Sequence, residues 1–348
     1  MSIRSLGIAV LSLALVSGFA AQKRKGKKDQ EPPTQVLPPL PEPPEAVAGE
    51  TARLSFQVSP LSSKGLLSQQ VRDALKALIR ESRGAGMIEL RAFVAGSGDL
   101  RRVQTIVSEE FTDRKLPLPA LTTVQAGDLP MEGAQVQIES IALDKRTVNP
   151  NGIAFFAARD QQQPAEVVER LKIDAKSAGV MPEDMLRITC FLSSLDQAAG
   201  LRSAIGSGFP AAAASYIQTQ RLGLQPFMAC EAAGRITRPG TEDSVQSGYV
   251  AIHSPKLVFS GAQMVFGDRD SDIKLAFQRL GKSLQPLGAG DADVLWTRIY
   301  SLTKPMAARV ESGSAEVYRR ARPSFALLFE GLPSIDATAA VELIAVAH

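Results

Sequence analysis

Apolar and polar positions recur along this chain with two periods, and the clearest run of them is its last hundred residues. After Tyr249 an apolar strand, Leu257-Val258-Phe259, runs into Ser260-Gly261-Ala262-Gln263. Ile273, Ala276, Phe277, Leu280 and Leu284 then repeat at the 3.6-residue spacing of a helix with one buried face. A strand over 294–302 and a weaker helix over 307–318 follow. Two more strands, 325–329 and 338–346, flank the turn Glu330-Gly331-Leu332-Pro333. The order is β-α-β-α-β-β, in which one sheet can cover the apolar faces of both helices.

The same pattern occurs twice more upstream, in blurred form. The first pass opens with a strand at 54–58 and a helix carrying Leu67, Val71, Ala74, Leu75 and Leu78 on one stripe. Strands at 88–94 and 122–126, the turn Leu129-Pro130 and a closing strand over 136–142 complete it. The second pass opens at 153–157 and has a helix with Pro164 in its first turn, where the missing donor is harmless. It continues with a strand at 186–192, a helix at 195–205, a strand at 215–219 and a closing strand over 227–233. Each closing strand carries a glutamate among apolar residues, at Glu139, Glu231 and Glu342, 92 and 111 residues apart.

The last unit resembles the Rid (YjgF, reactive-intermediate deaminase) family on the ordered set Tyr249, Ser260-Gly261, Leu332-Pro333 and Glu342-Leu343-Ile344-Ala345. The family typically forms a homotrimer with ligand clefts between subunits. The resemblance therefore implies an α+β chain of three tandem Rid/chorismate-mutase-like domains, at 51–147, 148–238 and 239–348, forming an intramolecular pseudo-trimer that is monomeric as a chain. Unrelated α+β domains in series are the alternative.

The family's deaminases use an arginine after a Pro-Ala pair to hold the substrate carboxylate, and a glutamate two residues before the closing one to orient water. Counted from the motifs, the arginine position holds Leu121, Ala212 and Ser324, and the glutamate position holds Gln137, Ala229 and Ala340. Without either charge a carboxylate loses its anchor and the water its base. Arg322, two residues before Ser324 and so on the same strand face, is a candidate substitute cation; its other reading is a solvated member of the run Arg319-Arg320-Ala321-Arg322. Glu342 is either a structural carboxylate satisfied by hydrogen bonds at a domain junction or an acid–base group with a pKa raised by burial. The resemblance implies ligand contacts from Tyr249, Ser260, Gly261 and Ser324, the third copy being nearest the family pattern.

Composition narrows the rest. The net charge is only +3, and Lys23, Arg24, Lys25, Lys27 and Lys28 supply much of the basic excess. A near-neutral folded part argues against a nucleic-acid footprint. Residues 1–21 read as an export signal, with Arg4, an apolar run over 6–16 and Gly18-Phe19-Ala20 as cleavage site. Export to the periplasm or medium is expected; the basic run just beyond leaves an uncleaved membrane anchor as the alternative. Residues 22–50 form a basic and proline-rich linker, whose prolines favour an extended spacer. With His253 and His348 the only histidines and no Cys/His/Asp cluster at ligand spacing, neither a metal nor a cofactor is expected. Cys190 and Cys230 lie on apolar strands and are expected to be buried free thiols, although export would permit a disulfide.

Three functions fit. The first is an exported protein binding a small metabolite in an inter-domain cleft with the deaminase residues lost. The second is an enamine or imine hydrolase using Tyr249, Ser260, Arg322 and Glu342. The third is a non-catalytic partner-binding module on a proline stalk.

Overall fold

The apolar stripes become the inner faces of six helices laid on three sheets in this computed structural model, which describes residues 39–96, 98–220, 227–323 and 326–348. Residues 1–38, with the expected export signal, the basic run and most of the proline-rich linker, lie outside the described residues. Among those described, no helix is long and apolar enough to cross a membrane.

In chain order, the first lobe contains β1 (Ala46–Glu50), β2 (Leu54–Val58), α1 (Leu67–Glu81), β3 (Gly86–Ala95), α2 (Leu100–Asp113), β4 (Ala120–Ala126) and β5 (Val136–Leu143). The second contains β6 (Ile153–Phe156), β7 (Asp160–Gln161), α3 (Pro164–Ala178), β8 (Met185–Leu192), α4 (Ala198–Gly208), β9 (Ala213–Gln218) and β10 (Met228–Arg235). The third contains β11 (Ser244–Val245), β12 (Tyr249–Ile252), β13 (Lys256–Ser260), β14 (Gln263–Phe266), α5 (Asp270–Leu284), β15 (Val294–Ser301), α6 (Lys304–Val317), β16 (Arg322–Pro323), β17 (Leu327–Leu328) and β18 (Ala337–Val346).

Each sheet has a middle strand with the same two neighbours. β3, β8 and β15 pair antiparallel with the closing strands β5, β10 and β18, and parallel with β4, β9 and β16. Helix α2 does not figure in the reading of the sequence, although Leu100, Val103, Ile106, Val107 and Phe111 form its buried stripe and Asp99 caps it by accepting from the Arg101 amide.

Two short strands cross lobe boundaries. β1 pairs with β13, so residues 46–50 belong to the third sheet rather than to a linker ending at residue 50. β12, with β11 on its outer edge, pairs with β6, so the start of the third segment belongs to the second sheet. A short strand's partner is set by where the chain has already been folded, which local periodicity does not record.

The helices cover one face of each sheet, closing three separate apolar cores. The opposite faces meet one another. Ile88, Phe155, Phe259 and Trp296 pack at one end of this shared interior, and Phe93, Phe191, Tyr300 and Phe329 at the other. A bulge between Met87 and Glu89 reverses the alternation of β3, turning Met87 to its own helices and Ile88 inward.

The two cysteines are not the buried free thiols expected. Cys190 and Cys230 are directly opposed on β8 and β10, with Cα atoms 4.1 Å apart, and form a disulfide. Antiparallel pairing brought together two side chains whose strands looked like ordinary core.

Candidate functional site

Between the two apolar ends of the shared interior lies a charged layer. Strand alternation aims Glu89 and Arg91 of β3, Arg187 and Thr189 of β8, and Arg298 of β15 inward, together with the three closing glutamates. All seven charged groups are buried. Arg91 contacts Glu139 at 2.5 Å, Glu231 at 2.6 Å and Glu342 at 3.8 Å. Arg298 contacts Glu231 at 3.0 Å and Glu342 at 2.9 Å, and Arg187 lies 3.7 Å from Glu139. The hydroxyls of Thr189 and Ser215 donate to Glu139, and that of Thr122 donates to Glu342 at 2.5 Å.

Burial by itself would raise Glu139, but Arg91 and Arg187, with the Ser215 and Thr189 hydroxyls, outweigh it and bring its carboxyl down to about 2. Glu231 is likewise held below its usual range, the arginines Arg298 and Arg91 overcoming desolvation. Glu89 is the exception. Desolvation and then the charge of Glu342 push it up to about 7 against the pull of Arg298, Arg91 and Arg187, and its Oε2 has no hydrogen-bond partner among the described residues.

Glu342 is thus wholly enclosed in an ion-pair layer. Thr122 and Arg298 are its partners, and each arginine of the layer is visible in the sequence as a charge within an apolar strand. Ser260 is fully buried and its Oγ accepts from the Leu343 amide. Tyr249 is half-buried against Phe156, with ring centroids 6.2 Å apart, and packs on the second lobe's core. Arg322 pairs through its backbone with Trp296 at the edge of the third sheet, and Ser324 lies outside the described residues. Of the candidate set, Gly261 lines a cavity, while the neighbouring Ser260 hydroxyl is taken by the Leu343 amide and Glu342 lies in the charged layer.

Two cavities occupy corresponding places, each between a closing strand and the parallel edge strand of another lobe. The first, about 380 Å³, lies between the first and second lobes and is lined by Ser59, Pro60, Gln137, Arg202, Ala214 and Tyr216 among others. Gln137 comes from β5 and donates weakly to the Ser59 carbonyl at 3.3 Å, while its buried Oε1 has no partner among the described residues. Arg202 is exposed on α4, beside the buried Leu201 and Ile205. Its guanidinium sits 5.2 Å from the Tyr216 ring centroid, and it makes no ion pair among the described residues. Burial raises the Tyr216 phenol while Arg202 pulls it down.

The second cavity, about 140 Å³, lies between the third and first lobes and is lined by Gly261, Met264 and Ala340 on one side and Leu121 and Thr123 on the other. Gly261 is required by close approach: a Cβ there would stand 2.7 Å from the Leu121 carbonyl oxygen. The ladders give a second way to match positions between lobes. Arg91 and Thr189 both face closing glutamates, and the edge-strand residues one step before their partners are Leu121 and Ala214, not Ala212. Neither is basic. Arg202, Tyr216 and Thr123 escaped the sequence reading because they come from different elements of lobes that meet only in the folded chain.

No protein-family model matches the chain, and no curated protein does. Among solved structures, a Mycobacterium tuberculosis protein described as a member of the highly conserved YjgF/YER057c/UK114 family matches 26% of this chain and 79% of its own, at 23% identity and a TM-score of 0.24. A YjgF-family protein of Neisseria meningitidis matches 28% of this chain and 84% of its own, at 19% identity and a TM-score of 0.24. A structure titled chorismatase covers 86% of this chain and 99% of its own, at 12% identity and a TM-score of 0.26.

Proposed function

We propose that this chain is a Rid-like protein, built as three tandem copies around a pseudo-threefold centre, that binds a small carboxylate-bearing metabolite between its first and second lobes and has no deaminase activity. The repeated strand order, and the meeting of Glu139, Glu231 and Glu342 in one charged layer, support the tandem reading. The N-terminal pattern supports export, with the chain acting as a monomer and its proline-rich segment as a spacer.

The observation that carries the ligand reading is the cavity wall formed by Gln137, Arg202 and Tyr216. It holds a guanidinium with no ion-pair partner among the described residues, an aromatic face and an orphaned amide oxygen. An unmet buried acceptor is costly, and a ligand N–H or O–H would relieve it. Arg202 would supply a cation from helix α4 where the family's edge-strand arginine is absent. A neutral Gln137 can orient a ligand but cannot deprotonate water, so binding without hydrolysis follows.

The test is calorimetric titration of the full-length protein with 2-oxobutyrate and with benzoate. One saturable site is expected for at least one of them, weakened tenfold or more in Arg202→Ala and unchanged in Arg320→Ala. Equal binding by Arg202→Ala would overturn this reading. An enamine generated in situ from an amino acid should decay no faster with the protein than without it.

A further inference from the structure

The corresponding cavity between the third and first lobes is lined in addition by Pro43, Pro44 and Glu45, the residues just before β1. We propose that this tripeptide is a stopper acting in cis, which shuts that cavity, and that lifting it uncovers a mainly apolar recess with the Thr123 hydroxyl on its wall.

The geometry separates an anchor from a tip. β1 is laid along β13 from Ala46↔Ser260 to Glu50↔Lys256, a five-residue antiparallel pairing. The tip is held differently. Neither proline has an N–H to give, and the Glu45 carbonyl accepts one bond from the Gly261 amide at 2.8 Å. Pro43 and Pro44 are half-buried and line the cavity, while Glu45 is exposed. The tip can therefore peel back while the anchor stays paired. Beneath it, the buried Thr123 Oγ1 has no hydrogen-bond partner among the described residues, so the closed form leaves a polar group unmet that an entering molecule could satisfy. The tripeptide also continues directly into the proline-rich segment, so a pull or a cut on that side acts on the tip first.

This inference does not need a ligand in the first cavity, and its test reads access alone. The two native cysteines are joined in a disulfide, so Thr123→Cys in the full chain offers one thiol to N-ethylmaleimide. Labelling is expected to be slow with the native tip and at least tenfold faster with Pro43→Gly/Pro44→Gly. Ala214→Cys, in the first cavity, should label equally fast in both backgrounds. If Thr123→Cys reacts rapidly under the native tip, or stays protected when the tip is loosened, the stopper does not exist. Should Thr123→Cys misfold, Ala340→Cys on the facing wall gives the same comparison.

Discussion

Replacing Glu89 by glutamine should stabilise the protein above neutral pH and leave it nearly unchanged in mild acid. Glu89 faces Glu342, Arg298, Arg91 and Arg187 and is held at about 7, against an ordinary value of 4.5. Between those two values the unfolded chain gives up the Glu89 proton while the folded one keeps it, so folding stability falls as pH rises. Above pH 7 both states are ionised and the loss is complete. From 4.5 to about 7 that amounts to about 3 kcal/mol, which for a body of this size is a shift of roughly 5 °C in Tm. Glutamine has no proton to lose and keeps the shape. Thermal unfolding of both proteins at pH 5 and pH 8 is the assay, with Glu89→Gln expected to melt higher at pH 8 and the gap to shrink at pH 5. If the two proteins change equally between these pH values, or if Glu89→Gln is the less stable at pH 8, the description of Glu89 as a strained buried acid is wrong.

Glu139 should act with the opposite sign. Its folded value of about 2 lies below the ordinary 4.5, so its contribution, about 3 kcal/mol, is present at neutral pH and is lost as pH falls from 4.5 through 2. Acid titration followed by circular dichroism should show that loss, and Glu139→Gln should have already lost it at pH 7. Reducing the Cys190–Cys230 disulfide frees a loop of 40 residues and should cost about 4 kcal/mol on the chain-entropy model. Denaturant titration with and without dithiothreitol measures this; an unchanged midpoint would mean that the disulfide contributes little to stability.

What was legible in the sequence was what one element records about itself. Ile273, Ala276, Phe277, Leu280 and Leu284 announced α5 because a helix on a sheet must repeat its apolar face every turn. The closing glutamates signalled polar partners at a lobe junction because a carboxylate in an apolar strand needs them. Arg91, Arg187 and Arg298 carried the same kind of signal, but a charge in a strand does not say which strand of another lobe will answer it. The cavities were less legible still. Gln137 and Tyr216 are far apart in sequence and share a wall only because two sheets pack back to back. The resemblance points to Tyr249 and Ser260 in the third segment; in the folded chain the Ser260 hydroxyl accepts from the Leu343 amide and Tyr249 packs on the second lobe's core.

The crossing of β1 to β13 has a consequence for how the protein is made. Ala46 pairs with Ser260, more than two hundred residues further along, and β13 is itself flanked on its other edge by the closing strand β18. On the ribosome, β1 must therefore wait for nearly the whole polypeptide before its seat exists. A nascent chain released early, or severed between lobes, would leave that strand's backbone donors and acceptors bare beside an unfinished sheet.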